Sequence, residues 1–264
     1  MSYRLTIMGC GSSTGVPRVG GDWGRCDPKN PKNRRRRSSA LIERRKAGGL
    51  TTVLVDTGPD LREQLLATGT KHIDGVVYTH DHADHTHGID DLRMIAYAMK
   101  RRINVWFDEP TRESVVPRFA YCFVTPPGRN YPPILTAHEI LPPTPIHIEG
   151  EGGRVEVIPF PLLHGEIGSL GFRVGNVAYS PDISGLPDSS LALLEGLDVW
   201  ILGALRYLPH PSHLTVGQAL EWIGRVKPKR AILTHLHIDL DYETLRKELP
   251  THVEPAVDGM VIDF

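Results

Sequence analysis

Residues 78–91 read YTHDHADHTHGIDD and place His80, His82, Asp84, His85 and His87 within eight positions of one another. The chain has 13 histidines in 264 residues, so four in one short stretch need a reason. Imidazole and carboxylate are natural ligands for zinc or manganese. IDGVVYTH reads as a short apolar strand that ends on the cluster, and GIDDLRMIAYAM after it reads as helical. A buried strand feeding the cluster argues against a solvated histidine-rich loop. At a strand-to-helix turn, residues two apart converge on one ion, while Asp84 and His85 turn toward a second. One ion takes about four donors, so further ligands are expected at later strand ends. Three candidates stand there: His164 after VIPFPLL, Asp182 after VAYSP and His235 after RAILT.

Outward from that stretch, YRLTIMG, SALIERR, TTVLVDTG and INVWF read as strands. DLREQLLATG reads as a short helix with Asp60 as N-cap and Gly69 closing it. Residues 121–150 are Pro-rich with weak periodicity and read as a long loop or excursion near the site, a candidate lid. LGFRVGNVAYSPD reads as two strands around Gly175–Asn176. DSSLALLEGL, LTVGQALEWIGRV (capped by Thr215) and YETLRKEL read as helices, interleaved with the strands DVWILGA, RAILTH and GMVIDF. Strands first, then strands alternating with helices, twice over, predict an α/β fold: a four-layer αββα sandwich in one domain spanning 1–264, with a Pro-rich insertion near 121–150. VVYTHDHAD and AILTHLHID echo each other, as if two related halves each delivered a histidine to a central seam.

Composition narrows the field. The formal net charge is −1, which offers no global attraction to nucleic acid or to a membrane surface. No apolar run is long enough to span a bilayer, and the opening MSYRLTIMGCG does not read as a leader. Cys10, Cys26 and Cys122 are too few and too scattered for a disulfide framework, which fits a reducing compartment. A cytoplasmic protein is expected.

THDHADH, the lone His164, AYSPD and LTHLH, with VDTGPD around Asp56, together resemble the metallo-β-lactamase-fold hydrolases over nearly the whole chain. The resemblance implies two divalent ions, Zn2+ or Mn2+. His80, His82 and His164 would hold one, and Asp84, His85 and His235 the other. Asp182 would bridge the two at a separation of roughly 3.5–4 Å, with a hydroxide between them as nucleophile. Asp56 either orients a ligand histidine through its other ring nitrogen or closes a turn. His87 reads as a neighbouring or surface histidine rather than a ligand.

PSHLTVGQALEW, residues 211–222, resembles the phosphodiesterase branch of that family, which includes tRNA 3′-end ribonucleases and the small PhnP-type phosphodiesterases. By that resemblance His213 would sit over the metals, bind a phosphoryl oxygen and help protonate the leaving alkoxide, making His213 and Asp84 the catalytic pair. The opening GCGSSTGVPRVGGDWGRCDPKNPKNRRRRSS also resembles the PhnP-like group. Its Arg34–Arg37 run is either a solvated basic patch or a substrate-phosphate contact, for which Arg34 and Arg36 are the candidates. The expected substrate is a small phosphodiester, a cyclic nucleotide or a cyclic ribosyl phosphate. A tRNA ribonuclease would want an extended basic surface, and the sequence shows none. A thioesterase or lactonase of the same fold and a non-catalytic metal-binding module are the rival readings. PhnP-type proteins can carry an extra structural zinc, for which Cys10, Cys26 and His237 are the candidates, with buried idle thiols as the bland alternative. No membrane partner is expected, and the Pro-rich loop leaves room for a homodimer.

Overall fold

The apolar runs form two seven-stranded sheets in a computed structural model that describes residues 2–264. The first sheet holds β1 (Ser2–Gly9), β2 (Ser39–Lys46), β3 (Gly49–Val55), β4 (Gly75–Val77), β5 (Ile103–Phe107), β6 (Leu135–Glu139) and the last strand, β14 (Met260–Asp263). The second holds β7 (Ile146–Ile148), β8 (Val155–His164), β9 (Ile167–Val174), β10 (Val177–Ser180), β11 (Val199–Gly203), β12 (Arg230–Thr234) and β13 (Val253–Pro255). Their orders are 14-1-2-3-4-5-6 and 13-12-11-10-9-8-7. In each sheet four strands pair antiparallel and then three more are added in parallel, from β3 onward in the first and from β10 onward in the second.

The sheets face each other across an apolar seam, and side-chain alternation divides each strand between two cores. In β3, Val53 and Val55 enter the seam while Leu54 faces outward. In β11, Ile201 enters the seam while Trp200 and Leu202 face outward, and in β12 Ile232 does so between Ala231 and Leu233. Strands covered on both faces need apolar side chains at every position, which is why these runs show no polar alternation. Helices supply the outer layers. Leu61 and Leu65 of helix Leu61–Thr68, Leu92 and Ile95 of helix Leu92–Met99, and Val115 of helix Glu109–Arg118 cover the first sheet. Val216, Ala219 and Ile223 of helix Val216–Val226 and Leu245 of helix Tyr242–Glu248 cover the second. The four-layer αββα sandwich read from the sequence is the observed fold.

Three expectations need correction. Residues 121–150 are not one loop: they contain β6 and β7, the edge strands of the two sheets. Pro142, Pro143 and Pro145 fall between them, where the chain leaves one edge for the other, and Pro at sheet edges hides strands from a propensity reading. The sequence echo does not follow the sheet plan. VVYTHDHAD ends the fifth strand counted from β14, whereas AILTHLHID ends the sixth counted from β7. By position β3 matches β10, and those strands deliver Asp56 and Asp182. Finally, Asp60 precedes helix Leu61–Thr68 without capping it through its side chain. Its carboxylate is taken by Arg37 instead, from the backbone N–H at 2.8 Å and from Nη1 at 2.8 Å.

Candidate metal centre

The site gathers where strands end. β4 runs on through Tyr78 to His80, β8 finishes on His164, β10 leads to Asp182 and β12 to His235. The 80–88 turn is tied to the end of β3: Thr57 N–H donates to the His85 carbonyl at 2.7 Å, and Gly88 N–H to the Thr57 carbonyl at 2.7 Å. Gly58 permits that approach, since a Cβ there would lie 2.1 Å from the Asp84 carbonyl oxygen. Asp56 and His235 have φ of 63° and 58°, left-handed values that cost a non-glycine residue roughly 1–3 kcal/mol and that cluster at functional sites.

Ligand atoms of His80, His82, His164 and Asp182 all lie within 4.8 Å of one another, as do those of Asp84, His85, Asp182 and His235. These are the two sets that the resemblance implied. Asp182 belongs to both, with one oxygen toward each. Its Oδ1 lies 3.1 Å from His85 Nε2 and 3.1 Å from His235 Nδ1, and its Oδ2 lies 3.9 Å from His80 Nε2 and 3.8 Å from His164 Nε2. His80 Nε2, His85 Nε2, Asp84 Oδ2 and Asp182 Oδ1 are buried and have no hydrogen-bond partner. Leaving four such atoms unpaired would be costly. A divalent cation in each set would satisfy them, so the donors present fit the group that the fold implies.

The opposite ring nitrogens are committed elsewhere. His85 Nδ1 donates to Asp56 Oδ2 at 2.7 Å, and His164 Nδ1 to the Ser212 carbonyl at 2.7 Å. Thr79 Oγ1 donates to Asp56 Oδ2 at 2.9 Å and therefore accepts from His80 Nδ1 at 3.0 Å. Asp56 thus orients one histidine directly and another through Thr79, and of the two roles open to it in the sequence it takes the orienting one. His235 differs: Ser38 Oγ, which donates to the Gly11 carbonyl, lies 3.0 Å from His235 Nδ1, the same nitrogen that faces Asp182 Oδ1.

Burial shifts the charge states. It pushes the His80 imidazole well below its usual range, helped by His85, and lowers His164. Burial alone would raise Asp182, but His235 and His85 outweigh it and hold the carboxyl well down. Burial likewise disfavours a charged His85, yet Asp182, Asp84 and Asp56 override it and push that imidazole up. Three carboxylates around one histidine make a strongly negative pocket, which a dication neutralises.

His213 lies over the cluster. Its ring stacks on His235 with centroids 4.7 Å apart and meets His164 edge-on at 4.7 Å, and its Nε2 is 4.0 Å from Asp182 Oδ2. The sequence His-Leu-Thr explains the placement. Thr215 caps helix Val216–Val226 in a reciprocal pair with Gln218, Leu214 is buried, and His213 is left at the mouth. Burial, then His235, lowers its imidazole to about 2.

The other candidates lie apart. His87 is exposed with its edge toward Phe119 and belongs to neither set. Arg36 gives its Nε to Asp258 at 3.0 Å and its Nη1 to the Glu63 carbonyl at 3.1 Å, while Arg34 is exposed on the rim of a cleft of about 220 Å³. Among the described residues no hydrogen bond or ion pair joins either arginine to the cluster. Cys10 Sγ faces the Ala256 carbonyl, Cys26 Sγ faces the Ile238 carbonyl, and His237 pairs with Asp239 and Arg18, so the described residues form no third metal set. Sequence reasoning missed Ser38, Ser212 and His210, whose ring lies 5.1 Å from that of His213. His210 and Ser212 stand in the same short stretch as His213, a signal within reach, whereas Ser38 lies 197 positions from His235 in the sequence.

Fold and relatives place the chain in one family. The chain belongs to the beta-lactamase superfamily, whose domain model matches residues 51–236, and to its PhnP-like branch. A crystal structure described as a new diphosphatase from the PhnP family is 36% identical, covering 100% of this chain and 98% of its own, with a TM-score of 0.89. Human short-form tRNase Z shares the fold at 20% identity and a TM-score of 0.66, covering 98% of each chain. Zn2+-bound PqqB from Methylobacterium extorquens does so at 18% and 0.74, covering 99% of this chain and 100% of its own. A Porphyromonas gingivalis protein named octanoyltransferase is 33% identical over 262 residues, 97% of this chain. The chain spans about half the length of that relative, 51%. Among the described residues no helix is long and apolar enough to cross a membrane.

Proposed function

We propose that the protein is a dinuclear phosphodiesterase acting on a small phosphodiester, a cyclic nucleotide or a cyclic ribosyl phosphate. The observation that carries this reading is His213 stacked over two donor sets that share the Asp182 carboxylate. His80, His82 and His164 would hold one ion and Asp84, His85 and His235 the other, with Asp182 shared between the two sets. Zn2+ and Mn2+ both suit these donors. When bound, the ions neutralise phosphoryl charge and lower the pKa of attacking water. Asp84, buried 3.3 Å from His85 Nε2 in the second set, would help orient the attacking water.

Burial and His235 keep the His213 imidazole neutral, so its N–H donates to a phosphoryl oxygen. A bound diester brings negative charge beside the ring and favours its protonated form, from which the leaving alkoxide takes a proton. Arg36 and Arg37 are paired with Asp258 and Asp60 and Arg35 is buried against the His237 and Leu240 carbonyls, so the exposed Arg34 is the contact of its run available to a second anionic group. His213→Ala should lower kcat by about 10²–10⁴-fold on a 2′,3′-cyclic nucleotide, which departs as an alkoxide. The loss should be smaller on bis(p-nitrophenyl) phosphate, whose nitrophenolate needs no proton. Equal, small losses on both would remove His213 from the proton path.

The name of the P. gingivalis relative favours a second reading, cleavage of an acyl ester or thioester. That name belongs to a protein of which this chain matches about half, whereas the diphosphatase relative matches over its full length. Thioester cleavage without diester cleavage would select the second reading.

A further inference from the structure

Asp81 stands between the ligands His80 and His82, yet it belongs to neither donor set. Its contacts run the other way. Ser114 Oγ donates to Asp81 Oδ2 at 2.5 Å, and Arg118 grips the same residue twice, Nη2 to Oδ2 at 3.2 Å and Nη1 to the backbone carbonyl at 3.2 Å. Ser114 and Arg118 lie four apart on helix Glu109–Arg118, so both meet the same point. That helix follows β5 and reaches the ligand turn from outside the sheet. Its Asp108 side chain accepts from Thr111 N–H, which fixes the start of the helix. Phe119, next after Arg118, sets its ring against His87 at 5.6 Å. Of the histidines in the first donor set, His82 is the exposed one, whereas His80 and His164 are buried. Packing therefore fixes His80 and His164 but not His82.

We propose that Ser114 and Arg118 are positioning residues that hold Asp81 and so aim the adjacent, exposed His82 at the first ion. The inference rests on the dinuclear reading of the site. An exposed ion pair adds little to folding stability, because solvent screens it and the side chains lose freedom in making it. Aim is a different quantity. Partners that orient metal ligands typically change metal affinity by about 10–100-fold when removed. The clamp should therefore be nearly silent in folding and visible in metal binding.

The test is metal titration of chelator-stripped protein with Mn2+ or Zn2+, followed by calorimetry and by counting tightly held ions, for wild type, Ser114→Ala, Arg118→Ala and Arg118→Lys. Thermal melts of the stripped proteins run alongside. The expected result is two ions in wild type and, in both alanine variants, one ion kept while the other binds about 10–100-fold more weakly. Arg118→Lys should recover part of the loss, and the stripped proteins should melt alike. Unchanged affinity for both ions would overturn the clamp and leave the dinuclear reading intact. Weakening of both ions with an earlier melt of the stripped protein would overturn it too, by making the contact structural. A wild type that binds no ion would sink both the clamp and the reading beneath it.

Discussion

Asp56 carries more of the site than its place in VDTGPD suggests. It accepts from Thr79 N–H and Oγ1 and from His85 Nδ1, all within 2.9 Å, in a fully buried pocket. Replacing it by Asn keeps the shape but puts an N–H₂ or a neutral oxygen where His85 Nδ1–H needs a carboxylate. Asp56→Asn should weaken the ion held by Asp84, His85, Asp182 and His235 by about 10–100-fold, measured by metal titration. The ion on His80, His82 and His164 should suffer less, because Asp56 reaches only His80 in that set, and through Thr79. Equal weakening of both would mean that Asp56 acts through the backbone turn and not through His85. The two donor sets were legible in the sequence, since THDHADH is a local signal and the single residues after it follow recognisable strands. Of the residues around them, Asp56 was within reach as a candidate orienting partner, but Ser38 and Ser114 were not. Ser38 meets His235 across 197 positions, and Ser114 meets Asp81 across 33. No local pattern carries a contact of that range.

At the scale of elements, the strand ends and helix starts place the chemistry. Helix Val216–Val226 begins with a reciprocal cap: Gln218 N–H donates to Thr215 Oγ1 at 3.1 Å, and Thr215 N–H to Gln218 Oε1 at 2.9 Å. His213 stands two residues ahead of that cap. Thr215→Ala should cost about 1 kcal/mol of stability in urea melts. It should also lower kcat on a cyclic diester, because the cap fixes the chain that presents His213. A stability loss with kcat untouched would mean that the buried Leu214 holds His213 by itself. The buried parallel strands were the easiest elements to read, because GVV, VWIL and AIL are apolar at every position. The Pro-rich stretch was the hardest. β6 and β7 are edge strands, which need apolar side chains less and tolerate proline at their ends, so neither periodicity nor propensity marks them.

For the whole molecule, the two sheets repeat one plan, four strands antiparallel and three more parallel, and they join along a seam filled by Val53, Val55, Val77, Ile201 and Ile232. The carboxyl ends of β4, β8, β10 and β12 meet at one mouth of that seam. The donor sets exist only when both sheets are docked, since His80, His82, Asp84 and His85 come from one and His164, Asp182 and His235 from the other. The fold class was readable from the order of strands and helices. The true correspondence between the halves was not, because the THxHxD echo points to β4 and β12 while the sheet order matches β3 to β10. The central claim, a two-ion phosphodiesterase, is tested most directly by one comparison of substrates. Purified protein loaded with Mn2+ or Zn2+ is assayed on bis(p-nitrophenyl) phosphate, p-nitrophenyl phosphate and an octanoyl thioester. Rapid cleavage of the diester, little of the monoester and none of the thioester, all lost on chelation, is the expected result. Thioester cleavage with an untouched diester would contradict the account.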